Sequence, residues 1–208
     1  MLITPADDSL GGLVLDLPAD FHEVPLLPDT PERTAAQLEL LDDMGLVDPA
    51  QREALSLYLE ALSVRLGRGA VTGSAFCAVR LDGRPSTATV TVAVHATHTL
   101  DRGLAVLGAA EALRRQGHHE SVEIVELGQQ PAVTAVTERR SRPGDAATGE
   151  VGVPVREMSV FVPVAGQQRA AMVTVSTPCL QDWDVYVRLT LDLCRSVHTV
   201  AGHTSLSR

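Results

Sequence analysis

Four of the seven histidines fall in one region of the chain, His95 and His98 as an H-x-x-H pair and His118 and His119 side by side. Imidazoles grouped in this way invite a zinc site, so a shared ion is the first chemistry to test. The stretch between the pairs reads as a helix, and about 15 residues at a rise of ~1.5 Å each hold them more than about 20 Å apart. They cannot share one ion. Neither pair has a Glu or Cys at ligand spacing, so all four are read as loop-terminal surface histidines, and no metal and no cofactor is assigned.

Cys179 follows Thr177-Pro178 at an expected helix start, where exposed N–H groups and the macrodipole lower a thiol pKa. Nucleophilic catalysis also needs a base and an oxyanion site, and no histidine lies near it in sequence. Cys179 is therefore read as a small packing residue, and Cys77 and Cys194 sit on patterned core faces. Gly73-Ser74-Ala75-Phe76 lacks the closing glycine of a nucleophile elbow, and Gly67-Arg68-Gly69 lacks the third glycine of a dinucleotide loop. Asp42-Asp43, Glu123 with Glu126, and Asp182 with Asp184 read as solvated faces and helix N-terminal charges rather than as catalytic carboxylates. No catalytic residue is assigned.

One charged cluster stands apart. Arg139, Arg140 and Arg142 gather positive charge at the base of a loop in a chain whose net charge is −9. The ordinary reading is a solvated turn; the functional one is a docking point for an acidic protein partner or a phosphorylated ligand. These three arginines are the candidate partner-binding residues.

The elements that would position such groups are legible from their periodicity. Residues 12–18 read as a first strand, and 21–31 as a connection kept extended by Pro25, Pro28 and Pro31. Thr30-Pro31 opens a helix over 32–44 that Gly45 ends, and Asp48-Pro49-Ala50-Gln51 caps a second one reaching about 66. Strands over 70–80 and 86–95 flank an Asp82-Gly83 turn, a strong hairpin signal. A third helix covers 102–116, with Leu104, Leu107, Ala110 or Glu111, and Leu113 or Arg114 on its packed face and Gly117 as its stop. Strands over 122–127 and 132–138 follow, then a loop over 139–153 without periodicity, expected to be flexible. Strands over 159–164 and 170–177 form a last hairpin. It leads through Thr177, read as the N-cap, and Pro178 at the first helical position into a helix whose buried face is Trp183, Val187, Leu191, Cys194 and Val197. A disordered tail is expected after 199.

Composition bounds the rest. The chain has 208 residues, 45% hydrophobic and 21% charged, with no long uninterrupted apolar run, and reads as one globular domain spanning 1–208. All 17 basic residues are arginine, and neither lysine nor asparagine occurs. Schiff-base chemistry, a Ser-Lys dyad and a phosphate-loop lysine are thereby excluded. The bias itself reads as the mark of a GC-rich, actinobacterial genome, since Arg replaces Lys readily on ordinary surfaces. An acidic chain with 3% aromatics, scattered as Phe21, Tyr58, Phe76, Phe161, Trp183 and Tyr186, does not fit nucleic acid. The opening MLITPADDSLGG has neither a basic n-region nor an apolar h-region, which with three unpaired-looking cysteines points to the cytoplasm, without disulfides or membrane insertion.

The final block, FVPVAGQQRAAMVTVSTP followed by CLQDWDVYVRLTLDLCRSV, resembles the MOG1/PsbP-like α/β proteins, notably their small actinobacterial members related to the LpqN lipoproteins. Leu13-Val14-Leu15-Asp16-Leu17-Pro18 and the strand over 87–94 fit that family's order of elements, so the resemblance extends over the whole domain. It implies an α+β fold, a mainly antiparallel sheet of six or seven strands with helices packed on its faces. It carries over no catalytic residues and implies a binding or assembly factor. The expected function is thus non-enzymatic, through a protein partner; the alternative is an enzyme or small-ligand-binding protein with an unrecognised pocket.

Overall fold

The computed structural model describes residues 2–3, 12–27, 30–45, 48–67, 71–140 and 152–200. In chain order these form β1 (Leu2–Ile3), β2 (Gly12–Val14), β3 (Phe21–Glu23), α1 (Thr30–Asp43), α2 (Pro49–Gly67), β4 (Val71–Leu81) and β5 (Arg84–Ala96). There follow α3 (Arg102–Gln116), β6 (Ser121–Leu127), β7 (Gln130–Arg140), β8 (Pro154–Pro163), β9 (Arg169–Thr177), α4 (Trp183–Ser196) and β10 (His198–Val200). Seven strands make one antiparallel sheet in the order β3-β4-β5-β9-β8-β7-β6, and β1, β2 and β10 make a small second sheet. The expected α+β architecture is the observed one. Arg142 and most of the expected flexible loop, and the tail beyond Val200, lie outside the described residues.

The long strands form because their side chains alternate. On one face of the sheet Val90, Val92, Val160, Val162, Val173 and Val175 are sealed from solvent. Each such burial stabilises by about 1.5–3 kcal/mol relative to exposure. Tyr186, Leu193 and Cys194 of α4 close over this face, joined by Leu13 of the small sheet and Leu15 just after it. The β4–β5 turn is tighter than the sequence suggests, because Asp82 and Gly83 both take positive φ, 51° and 76°, as a two-residue hairpin turn requires. Leu81 therefore pairs directly with Arg84.

The opposite face carries three helices. α1 and α2 pack together over the β3–β4 edge around Val24, Leu40, Leu41, Leu59 and Phe76. α3 lies over β7 and β8 through Val106, Ala110 and Leu113 against Val133, Ala135 and Phe161. Its ends are those expected: the Asp101 carboxylate accepts from Leu104 N at 3.1 Å, and Gly117 closes it at φ 70°.

Four local expectations need correction. The connection over 21–31 contains a strand, β3, because Phe21–Glu23 finds the free edge of β4, a non-local partner that its prolines do not advertise. On α3 the packed stripe is Val106, Ala110 and Leu113, and Leu104 and Leu107 face outward. The side bearing Ala105, Ala109 and Ala110 lets the helix lie close to Phe161 and Met172. The last helix begins at Trp183, after a 3-10 turn over Leu180–Asp182, not at Pro178. Thr177 ends β9 instead, where its hydroxyl donates to Thr87 O at 2.7 Å and accepts from Cys179 N at 2.9 Å. The buried face of α4 is accordingly Tyr186, Thr190, Leu193 and Cys194, with Trp183, Val187, Leu191 and Val197 half-buried at its flanks.

Candidate functional site

The helix-bearing face of the sheet is not apolar across its middle. Registers align Thr89 with Ser176, Ser176 with Glu157 and Glu157 with Thr137; one step along, Thr91 aligns with Thr174 and Thr174 with Ser159. Side chains on opposed residues of paired strands share a face, so these groups form one continuous floor of hydroxyls across β5, β9, β8 and β7. The same strands put valines on the other side. Thr89 is buried, while Thr91, Thr174, Ser176, Ser159, Glu157 and Thr137 are half-buried. A sheet covered tightly on both faces is apolar on both; this one is polar between α2 and α3.

The floor has defined walls. From α2, Tyr58 sets its ring 5.5 Å from Phe76 and its hydroxyl 3.1 Å from Thr89 Oγ1. Beyond the end of α3, His119 places Nδ1 2.7 Å from Thr137 Oγ1. Across the floor Ser159 and Thr174 hydroxyls are 2.8 Å apart, and Arg139 Nη2 donates to Glu157 Oε1 at 2.6 Å. That hydrogen bond raises the Arg139 pKa, with Tyr58 adding a smaller contribution. Burial first, and His118 second, lower the His119 pKa and favour its neutral ring. Hydroxyls, a neutral imidazole and a partly neutralised guanidinium can accept and donate many hydrogen bonds; Thr137 Oγ1 beside His119 Nδ1, whose Nε2 lies 3.1 Å from Gln116 Oε1, is a hydroxyl within reach of a base.

The three arginines divide. Arg139 points into the floor, whereas Arg140, one residue on, belongs to the other side of β7, exposed, with Nη1 3.4 Å from Gly152 O. Arg142 lies outside the described residues. The histidine pairs also stay apart: His95 and Thr89 are six residues apart along β5, ~20 Å at ~3.3 Å per residue, and Thr89 is level with Thr137, where His119 sits. His95 and His98 are both exposed. Among the described residues no group of three or more His, Cys, Asp or Glu could hold a metal ion.

Cys179 is half-buried, and its Sγ accepts from Thr87 N at 3.4 Å. The α-helix expected to begin at this point starts four residues further on, at Trp183, and Cys179 precedes a 3-10 turn instead. Cys77 and Cys194 are buried, and burial pushes the Cys77 thiol up to about 11 and Cys194 higher still. A concavity elsewhere, lined by Gln130, Val162, Pro163, Val164, Ala165, Val197 and His198, offers one imidazole and mostly apolar walls. Sequence reasoning overlooked the floor and Tyr58. The available signal was the run Thr87, Thr89, Thr91 alternating with Ala88, Val90 and Val92, echoed by Thr174 and Ser176.

Fold and site together define an α+β protein with a hydroxyl-lined, partly covered sheet face. No protein-family model matches the chain, and no curated protein matches it either. Among the described residues no helix is long and apolar enough to cross a membrane.

Proposed function

We propose that this chain is a non-enzymatic binding protein that holds an extended segment of a protein partner on the floor between α2 and α3, with an acidic group of that partner at Arg139. The observation that carries this reading is the hydroxyl floor itself: on three adjacent strands in the interior of the sheet, two successive positions of this face are Ser, Thr or Glu where a buried face calls for Val. An extended chain offers alternating N–H and C=O groups that such a surface can satisfy, and Arg139 adds charge selectivity.

The reading includes the MOG1/PsbP-like assignment and an actinobacterial, cytoplasmic setting. Supporting these are the strand-turn-strand-helix block at the carboxyl end, the lysine-free composition and three free cysteines. A second reading rests on Tyr58, His119, Arg139 and Glu157 drawing near one end of the floor: a small polar ligand held there.

The test is a variant that keeps the shape and removes the hydroxyls, Thr91→Val, Thr174→Val and Ser159→Ala together. Removing Ser159 and Thr174 as a pair leaves neither unpartnered, so folding should persist. Capture from the native host, quantified by mass spectrometry, should lose a specific protein with this variant while its circular dichroism is unchanged. Equal capture by both forms sinks the proposal, and a small molecule released on denaturing only the unaltered protein would favour the second reading.

A further inference from the structure

α3 turns an apolar stripe away from its own sheet. Leu104 and Leu107 are 60% and 58% exposed, and Leu100, just before the helix, is 62% exposed. At helical spacing Leu104 and Leu107 share a side with Gly103, Gly108, Glu111 and Arg115. Leucines so exposed and contiguous mark an interaction surface more often than a solvated one. Gly108 adds an independent sign. A Cβ built there meets nothing within 4 Å, so the fold itself gives no reason for glycine. Glycine in an exposed helix interior costs about 1 kcal/mol against alanine. It is explained if another backbone or side chain approaches there.

The stripe is complementary to itself. Turned antiparallel about a two-fold axis between Leu107 and Gly108, each Leu107 meets the other copy's Gly108, a knob opposite a hole. Leu104 then faces Glu111 and Ala112, and Leu100 lies against the aliphatic stem of Arg115. The same rotation sets Asp101 at one end near Arg115 of the other copy. Among the described residues Arg115 pairs within its own helix, with Glu111 at 2.9 Å, and both side chains are mostly exposed, so re-pairing across the axis is cheap. Antiparallel helices also oppose their macrodipoles favourably.

We infer that the Leu100, Leu104, Leu107 and Gly108 face of α3 is a two-fold homodimer interface, with a second copy of this chain as its occupant. The interface is isologous and closes on itself. One helix per side falls short of the ~800 Å² per partner of a standard interface, so the dimer dissociates on dilution.

Sedimentation velocity across a dilution series tests this on the full chain. The unaltered protein should shift from dimer to monomer as it is diluted. Leu107→Glu should weaken association by roughly thirtyfold, the loss expected at a central hot spot, with an unchanged circular dichroism spectrum. Gly108→Ala should raise the thermal midpoint, by helix propensity, and yet weaken the dimer by crowding the axis. A protein monomeric at every concentration overturns the inference, and capture of a different protein lost with Leu107→Glu would then assign the face to that partner. A dimer indifferent to both substitutions overturns it too.

Discussion

Arg139 and Glu157, on the neighbouring strands β7 and β8, meet at 2.6 Å at one end of the hydroxyl floor, each side chain about a quarter to a third exposed. The pair half-neutralises the cation that, among the described residues, the floor offers an anionic group. Glu157→Gln keeps the shape and releases Arg139. It should tighten binding of inorganic phosphate at this end by about fivefold, equivalent to the ~1 kcal/mol upper range of a partly exposed ion pair. Arg side-chain resonances followed by NMR during a phosphate titration measure it, and an unchanged midpoint would mean that Arg139 is not available to ligands.

Asp182 is buried, with Oδ1 3.2 Å from Arg84 Nη2 and Oδ2 without a partner among the described residues. Removing Arg84 leaves a buried carboxylate uncompensated, whereas neutralising Asp182 removes the need for the pair. Arg84→Ala should therefore destabilise by about 1–2 kcal/mol, discounted because the Arg84 side chain is half-exposed, and adding Asp182→Asn should recover most of it. Urea unfolding of the two single variants and the double one decides. Additive losses would contradict the coupling.

Thiol reactivity should separate the three cysteines. Burial raises the pKa of Cys77 to about 11 and that of Cys194 further, so neither yields appreciable thiolate at mildly alkaline pH, and neither is reached by reagent. Only Cys179 is half-exposed. An aromatic disulfide reagent should label one thiol in the native protein and three after denaturation, and Cys179→Ser should abolish the native signal.

The α1–α2 pair carries a pH dependence. Arg33 binds both oxygens of Glu60, at 2.9 and 2.6 Å, and Gln37 adds a third hydrogen bond; these hold the Glu60 pKa below its ordinary 4.5. A depressed folded-state pKa contributes stability that is present above 4.5 and lost as pH falls through the folded value. Stability should therefore decline on acidification below about 4.5 by less in Glu60→Gln than in the unaltered protein. Denaturant midpoints measured from pH 6 to about 3 read this difference directly.

Several features follow from the residues alone because they are local. Asp82-Gly83 adopts positive φ wherever it lies between two strands, Asp101 and Gly117 bound α3 through bonds to their own neighbours, and the alternation of β5, β8 and β9 makes them strands in any context. The antiparallel α+β class is the sum of such signals. What only the tertiary structure decided is which of two equally apolar stripes of α3 faces the sheet, where β3 finds an edge, and why the last helix waits until Trp183 while Thr177 bonds to Thr87 O, ninety positions earlier in the chain. It also decided the site. Tyr58, Thr89, Thr137, Glu157, Ser159, Thr174 and Ser176 come from five elements, and only strand order and register bring them to one face. The same pleat that assembled them divided Arg139 from Arg140, since successive residues of a strand point to opposite sides and no count of neighbouring charges can tell which side will be open.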